Sequence, residues 1–367
     1  MRLFRFGHKI SVLVLLFGFF SAHAQTPPAA ATKAPDEDQP QFGNLKTVVV
    51  DPNGPDPTKD PETEDLTRLD LPSGMKVDAM GLEDDQRNGV RREFLQVQWR
   101  PEDPIDLHVI TPVGVKKPPV ILYLYSYPST LASYNDLEFC KFLAQNGFAA
   151  VGFVSALTGP RFHDRGTKEW FVSELPISLT ESVHDVQMVL NYLASRGDLD
   201  MNRVGMWGDG SGASIAIMAA AIDPRIKVLD LLNPWGDWPE WLAKSPLVPE
   251  NERPSYLKPD FLKGVENLDP VKWLPQLKTR QVRLQYMEHG VAVTPDAARQ
   301  RLLKVAPPGV KLVRYENTKE FVTKVGSTGK GFDWIKEQLA SMPPARGTST
   351  SSVAESTTST RMKDHGR

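Results

Sequence analysis

A glycine-rich turn at residues 208–212, with the sequence Gly-Asp-Gly-Ser-Gly, separates two stretches of contrasting character. The apolar residues before it are typical of a buried strand, and the small and apolar residues after it are typical of a helix packed closely on a sheet. A strand, a sharp turn and a helix in this order form a strained elbow, which needs small residues on both sides of its apex. Gly208 and Gly212 supply the small residues, and this register puts Gly210, which has no side chain, at the apex.

Strand-like and helix-like segments alternate through most of the remaining chain. The alternation predicts an α/β fold with a mostly parallel central sheet and helices on both faces, and the short connection between the first two strands predicts an antiparallel start. The predicted strands are 94–99, 105–110, 120–125, 149–154, 204–207, 227–232, 282–287 and 310–315, and the predicted helices are 135–146, 179–195, 214–221, 296–303 and 331–339.

Residues 235–280 interrupt this alternation and are rich in Trp, Pro and Leu. We interpret this segment as an inserted lid over the carboxyl edge of the sheet, within a predicted domain that spans 66–341. The arm at 25–65 is Pro-rich and acidic, and the tail at 342–367 is rich in Ser and Thr. Both are expected to be disordered, because they carry too few large apolar side chains to form a core.

Residues 1–24 have the parts of a secretory signal peptide. Arg2, Arg5 and Lys9 make a positive start, an apolar run follows, and residues 22–24 (Ala-His-Ala) give a small-residue cleavage signature. The apolar run is too short to span a bilayer, which disfavours the alternative of a membrane anchor. We therefore predict an exported protein, periplasmic or secreted, with no membrane span after signal cleavage.

The charge balance and the single cysteine bear on partners and ligands. The formal net charge is −2, and it becomes −5 when the three basic residues of the signal peptide are removed. A mildly acidic chain without a basic stripe predicts no nucleic-acid partner. Cys140 lies in an apolar helical pattern and is expected to be a core residue. No ligand spacing typical of a metal site is visible, and we predict no metal and no cofactor.

Three segments together resemble the α/β-hydrolase superfamily, most nearly its dienelactone hydrolase and prolyl-oligopeptidase-like branches. They are the elbow at 203–213, the strand and turn at 120–128, and the segment 315–321 after the last strand. The resemblance covers about residues 90–341. It implies a sheet that carries a nucleophile, an acid and a histidine in that chain order, with the histidine taking the nucleophile's proton and the acid orienting it.

At each catalytic position that the resemblance implies, this chain departs from the family pattern. Gly210 stands at the nucleophile, Val291 at the acid, and Glu320 (or Lys319, with a shift of one residue) at the histidine. The oxyanion strand usually ends in His-Gly, and here it ends in Tyr-Ser-Tyr-Pro, so that Pro128 removes a backbone donor. These departures together predict that the catalytic machinery has been lost.

Two residues of the turn are alternative nucleophiles. Ser211 would take that role if the elbow were shifted by one residue, although Asp209 would then occupy a small position. The other interpretation of Ser211 is that it opens the following helix, where a hydroxyl suits a free N–H group. Asp209 as nucleophile would require Trp207 in a small position.

Loop residues offer a rebuilt acid/base site. His163 and Asp164 follow a buried strand, and Glu288 and His289 lie in the former acid loop, so that both pairs are expected at the cleft. The competing interpretation is a surface cluster of salt bridges, which loop carboxylates and histidines commonly form. His184, in the helix before the elbow, is expected to face solvent.

A cluster of tryptophans is the other notable feature. Trp235, Trp238 and Trp241, with Trp207 nearby in the fold, either line a pocket or pack the lid onto the body of the domain. The pocket candidates are Ser126, Tyr127, Trp207, Trp235 and Trp238.

The sequence predicts an exported α/β-hydrolase-fold protein without a recognisable Ser-His-Asp triad. Its predicted function is non-catalytic binding of a small apolar ligand or a protein partner. One alternative is an active serine hydrolase of ester or amide bonds that uses a displaced Ser211, and another is a structural envelope protein tethered by its two tails.

Overall fold

The computed structural model describes residues 77–99, 103–126, 131–157, 171–278, 280–290, 293–326 and 331–344. These ranges contain one sheet of nine strands in the order β1-β2-β3-β5-β4-β6-β7-β8-β9. The strands are β1 (Asp78–Arg87), β2 (Val90–Gln98), β3 (Ile105–Pro112), β4 (Pro119–Leu124), β5 (Ala149–Phe153), β6 (Asp200–Asp209), β7 (Ile226–Leu232), β8 (Gln281–His289) and β9 (Lys311–Asn317).

The strand directions agree with the predicted fold class. β4 to β9 pair in parallel, while β1, β2 and β3 pair antiparallel and β3 joins the parallel part by an antiparallel pairing with β5. Each predicted strand falls on one of β2 to β9. Each predicted helix falls on one of the helices, which are α1 (Leu137–Ala144), α2 (Leu175–Arg196), α3 (Ser211–Ile222), α4 (Trp238–Lys244), α5 (Arg253–Tyr256), α6 (Pro259–Glu266), α7 (Pro270–Trp273), α8 (Asp296–Val305), α9 (Thr318–Phe321) and α10 (Asp333–Ala340).

Among the described strands, β1 is the one that the sequence did not reveal, and the short helices α4 to α7 and α9 were not predicted either. Nearly all residues of β1 are exposed, so it lacks the alternation of apolar and polar residues by which a half-buried strand is recognised. Its pairing with β2 is reinforced by side chains, since Asp84 accepts from Arg91 at 2.9 and 2.8 Å and Asp85 accepts from Arg92 at 2.8 and 2.7 Å.

Two apolar cores lie on opposite faces of the sheet. The first contains α2, α3 and the helices of the 235–280 segment, and the second contains α1 and α10. All six residues of β4 are buried, as a central strand covered on both faces requires.

The 235–280 segment forms α4 to α7, which contact α2, α3 and α8 on the first face. Trp235, Trp238 and Trp241 are fully buried and belong to the first core. The segment therefore thickens one helical layer of the domain, and its role as a lid stays a prediction.

The predicted signal peptide, arm and most of the tail lie outside the described residues, and so do the loop residues Tyr127, Pro128, His163, Asp164 and Val291. Among the helices of the described ranges, none combines the length and the apolar character needed to cross a membrane.

Candidate functional site at the strand-to-helix elbow

The elbow between β6 and α3 has its apex at Gly210. The backbone there has φ +51° and ψ −114°, a conformation that residues with a Cβ atom rarely adopt. The Gly210 N–H donates to the Leu232 carbonyl at 2.9 Å, which ties the apex to the end of β7. The Gly210 carbonyl accepts from Ser214 Oγ at 3.1 Å and from the Trp235 N–H at 3.5 Å. The turn is therefore held from both sides by backbone groups.

Gly208 and Gly212 are required by close packing. A Cβ atom at residue 208 would lie 2.6 Å from Ala213 Cα, and one at residue 212 would lie 2.7 Å from the Leu124 carbonyl carbon. Both distances are shorter than real Cβ contacts, so any larger residue would push α3 away from β4 and β6. The two glycines thus play the steric part that the elbow pattern assigns to its small residues.

The space in front of the apex is filled by two side chains from other segments. A Cβ atom at residue 210 would lie 2.9 Å from Ser126 Cβ, still closer to Ser126 Oγ, and 3.0 Å from Trp235 Nε1. Ser126 is 2% exposed and Trp235 is fully buried. The volume into which a nucleophilic side chain would project is therefore occupied by a hydroxyl and an indole.

The alternative nucleophiles flank this apex. Ser211 is the first residue of α3 and is fully buried. Asp209 is the last residue of β6, and its side chain is partly exposed. The surrounding protein nevertheless desolvates the carboxyl and raises the pKa of Asp209 to about 7, against the opposing effect of a hydrogen bond from the Gly210 N–H.

Glu288 of the former acid loop and Glu320 at the former histidine position make local ion pairs. Glu288 binds Arg299 at 2.6 Å. Glu320 pairs with Lys324 and accepts from the Glu316 N–H at 2.5 Å, and the Lys324 hydrogen bond lowers the pKa of Glu320. These contacts are those of a salt-bridged surface.

The described histidines lie in three separate places. His289 is exposed at the end of β8, level with Asn317 of β9. His108 is stacked between Phe94 and Tyr134, with ring centroids at 4.6 and 5.0 Å, and burial lowers the pKa of His108 to about 4.

The expectation that His184 faces solvent is wrong, because the residue is fully buried. Its ring lies edge-on to Trp99 at 6.0 Å. The reason is that α3 and α6 both contact α2, so the helix face opposite the main apolar stripe is covered as well. Periodicity along one helix cannot reveal a second layer of helices.

The remaining pocket candidates, Trp207 and Trp238, are both buried, and Trp238 also lines a cavity of about 430 Å³ together with Pro239, Leu262 and Arg301. Trp207 is 2% exposed and lies in the second core, 5.5 Å from both Tyr125 and Phe332. Trp238 stacks edge-on to Trp241 at 5.6 Å and donates from Nε1 to the Leu268 carbonyl at 3.0 Å.

A single carboxylate positions the tryptophan segment. Asp269 accepts from the backbone N–H groups of Asp237, Trp238 and Val271 at 2.9, 3.1 and 3.0 Å. It therefore joins the start of α4 to the start of α7. Within the described ranges, no group of three or more His, Cys, Asp or Glu side chains is placed to hold a metal ion.

Comparison with known proteins identifies the fold. Neither a protein family nor a curated protein matches the sequence. The structure is similar to acetyl xylan esterase 1 from Thermoanaerobacterium sp. (16% identity, TM-score 0.54, 66% of this chain and 81% of that chain). It is also similar to an acetyl xylan esterase from Paenibacillus sp. R4 (16% identity, TM-score 0.56, 74% of this chain and 92% of that chain).

A third similar structure is the acylaminoacyl peptidase of Pyrococcus horikoshii, with 15% identity and a TM-score of 0.53. The match covers 70% of this chain but only 41% of the peptidase. At such identities the likeness concerns the fold alone. The resemblance to the α/β-hydrolase superfamily is thereby confirmed at the level of the fold.

Proposed function

We propose that this protein, which has the α/β-hydrolase fold, carries out no hydrolysis and binds a small apolar ligand or a protein partner. The observation that carries the proposal is the filled apex of the elbow. Gly210 offers no attacking atom, and Ser126 and Trp235 occupy the space that such an atom would need.

The fold's chemistry depends on a side chain at this point, because the nucleophile must stand clear of the sheet to meet a carbonyl carbon. Removing the nucleophile alone would leave a gap in front of the apex. Here the gap is closed by buried groups, so the elbow has become part of the packed interior. This packing favours a scaffold over an enzyme with one missing residue.

The hydroxyl of Ser126 is an energetically costly part of this packing. Among the described residues it has no hydrogen-bond partner, although it is almost wholly buried. A buried polar group in that state costs about 1–3 kcal/mol.

A second candidate function is hydrolysis of an ester or amide bond by Ser211. The observation in its favour is Asp209, whose pKa of about 7 lies in the range of an effective general base at neutral pH. The names of the similar structures, two esterases and a peptidase, point to the same reaction class. Against it stands the complete burial of the Ser211 side chain.

A fluorophosphonate probe separates the two functions, because it labels only an activated serine. We expect no labelling of the native protein above that of the heat-denatured protein, and no turnover of p-nitrophenyl acetate. The matched variants are Ser211→Ala and Ser126→Ala. Labelling or turnover that disappears in either variant would establish a serine hydrolase and end the proposal.

We further propose that the protein is exported through residues 1–24. Support comes from the basic start, the short apolar run and the Ala-His-Ala signature of the sequence. N-terminal sequencing of protein recovered outside the cytoplasm should begin at Gln25. Recovery of the intact chain from the cytoplasmic fraction would show that the signal is not used.

A further inference from the structure

A groove runs between α8 and β9 at the edge of the sheet opposite to β1. Its volume is about 490 Å³, in the range of sites that accept small molecules or single peptide side chains. The lining combines an apolar floor with two cations and contains no acidic residue; its members are Gln300, Leu303, Lys304, Ala306, Pro307, Gly309, Val310, Leu312 and Arg314.

The strand that forms one wall is the last of the sheet. β9 pairs with β8, and among the described residues no other strand pairs with its outer edge. Leu312 and Arg314 point to the face that carries α8, while Val313 and Tyr315 alternate with them and pack in the second core. Leu312 is 42% exposed, so an apolar side chain on this face lacks a cover.

The cations of the groove are incompletely neutralised. The carboxylate recorded beside Arg314 is Glu288 at 3.9 Å, and Glu288 already binds Arg299 at 2.6 Å. Lys304 makes no ion pair with any described residue. Lys311 at the start of β9 is also exposed, but it alternates with Leu312 and so lies on the other face of the strand, and the exposed Glu316 near the end of β9 is the nearest opposing charge along it.

The opposite edge of the sheet shows the contrast. β1 also has a free outer edge in the described ranges, but its central acids Asp84 and Asp85 bind Arg91 and Arg92 of the adjacent strand. Internal charge pairing of this kind blunts an edge strand. Within the described residues, the β9 edge combines an outer side that pairs with no other strand, an apolar groove and incompletely neutralised cations.

We propose that the groove docks an extended acidic peptide segment, which adds a strand to the outer edge of β9. Edge pairing supplies backbone hydrogen bonds, and alternate side chains of the added strand supply specificity. An apolar side chain of the segment covers Leu312, and acidic side chains on the same face of the segment meet Lys304 and Arg314. The proposal does not depend on the state of the elbow.

The test is fluorescence anisotropy with the purified full chain and a labelled seven-residue peptide, Glu-Thr-Val-Thr-Glu-Thr-Val, which presents Glu and Val in turn on one face. We expect saturable binding that weakens as salt is raised, because exposed charges are screened. Leu312→Glu and Arg314→Glu should each weaken binding by about tenfold or more, since each puts a like charge against the peptide.

Leu82→Glu is the matched control, because Leu82 of β1 is 43% exposed and Leu312 is 42% exposed. Binding should be unchanged in this variant, and thermal unfolding should show that all three variants fold. The same peptide N-methylated at every amide should lose binding, because neither of its edges can then donate hydrogen bonds to β9.

Several results would overturn the proposal. These are absence of binding at millimolar peptide, equal binding of the same peptide with Lys in place of Glu, equal loss in Leu82→Glu and Leu312→Glu, and full binding of the N-methylated peptide. Binding of octanoate without any binding of the peptide would instead assign the groove to a small amphiphilic carboxylate.

Discussion

Ser126 and Gly210 face each other across the elbow so closely that residue 210 cannot carry a side chain without displacing Ser126. The parallel pairing of β4 with β6 explains the approach. Leu124 is in register with Gly208, and two further residues along each strand bring Ser126 level with Gly210. Gly210, which stands at the nucleophile position, and Ser126, which fills the space in front of it, thus follow two neighbouring strands.

This relationship predicts that Gly210→Ser alone will not create a working nucleophile. The positive φ should cost about 1–3 kcal/mol with a side chain present, and the overlap with Ser126 adds to that cost. Urea unfolding should show the loss, and p-nitrophenyl acetate should remain intact.

The double variant Gly210→Ser/Ser126→Gly provides the control. It should regain part of the lost stability, because the overlap is removed while the backbone strain remains. Equal stability of the single and double variants in a double-mutant cycle would show that the two positions do not compete for space.

Asp209 predicts a pH dependence of stability. Burial raises the pKa of Asp209 to about 7 from 3.8, so between these values the folded state holds a proton that the unfolded state has released. Stability should therefore fall as pH rises from about 4 to about 7, by at most roughly 4 kcal/mol and less once solvent screening of this partly exposed group is allowed for.

Asp209→Asn should flatten this dependence when the free energy of unfolding is measured at pH 4, 6 and 8. Asp296→Asn, a change of an exposed helix-terminal carboxylate, is the control and should leave the slope in place. A slope that is the same in wild type and Asp209→Asn would contradict the raised pKa.

The residues of the elbow show which parts of the fold could be predicted from the sequence and which could not. The elbow and strands β2 to β9 were predictable, because apolar periodicity and glycine spacing are local properties of the chain. The contact of Ser126 with Gly210 was not, because it depends on the register of β4 against β6, which no local pattern specifies. The burial of His184 could not be predicted for a related reason, because the helices that cover it, α3 and α6, come from later segments of the chain.

The buried pair Asp230–Arg283 also lacks a local signal. Arg283 donates to both oxygens of the fully buried Asp230 at 2.7 and 2.5 Å, and Gln285 Nε2 donates to the same carboxylate at 2.7 Å. Tyr315 in turn donates to Gln285 Oε1 at 2.8 Å, which extends the network across β7, β8 and β9.

Breaking this network from one side should be costly. Arg283→Met leaves the Asp230 carboxylate buried without its cation and should destabilise the fold by about 3–5 kcal/mol. Asp230→Leu/Arg283→Met removes both charges and should cost much less, as measured by urea unfolding. If the double variant lost as much free energy of unfolding as Asp230→Leu and Arg283→Met lose together when measured separately, the pair would not be coupled.

Lys336 gives the last prediction. It is 3% exposed, its Nζ donates to the Gln145 carbonyl at 3.1 Å, and burial lowers the pKa of Lys336 to about 8 from 10.5. Between pH 8 and pH 10.5 the unfolded state binds a proton at Lys336 more tightly than the folded state does. The buried ammonium therefore lowers the free energy of unfolding fully below about pH 8, and this loss disappears as the pH rises to about 10.5.

Lys336→Met should therefore raise the melting temperature at pH 7 and have a smaller effect at pH 10. Lys263→Met, at an exposed lysine, should have little effect at either pH, and a similar stabilisation of both variants would place the benefit in general surface charge rather than in the buried ammonium.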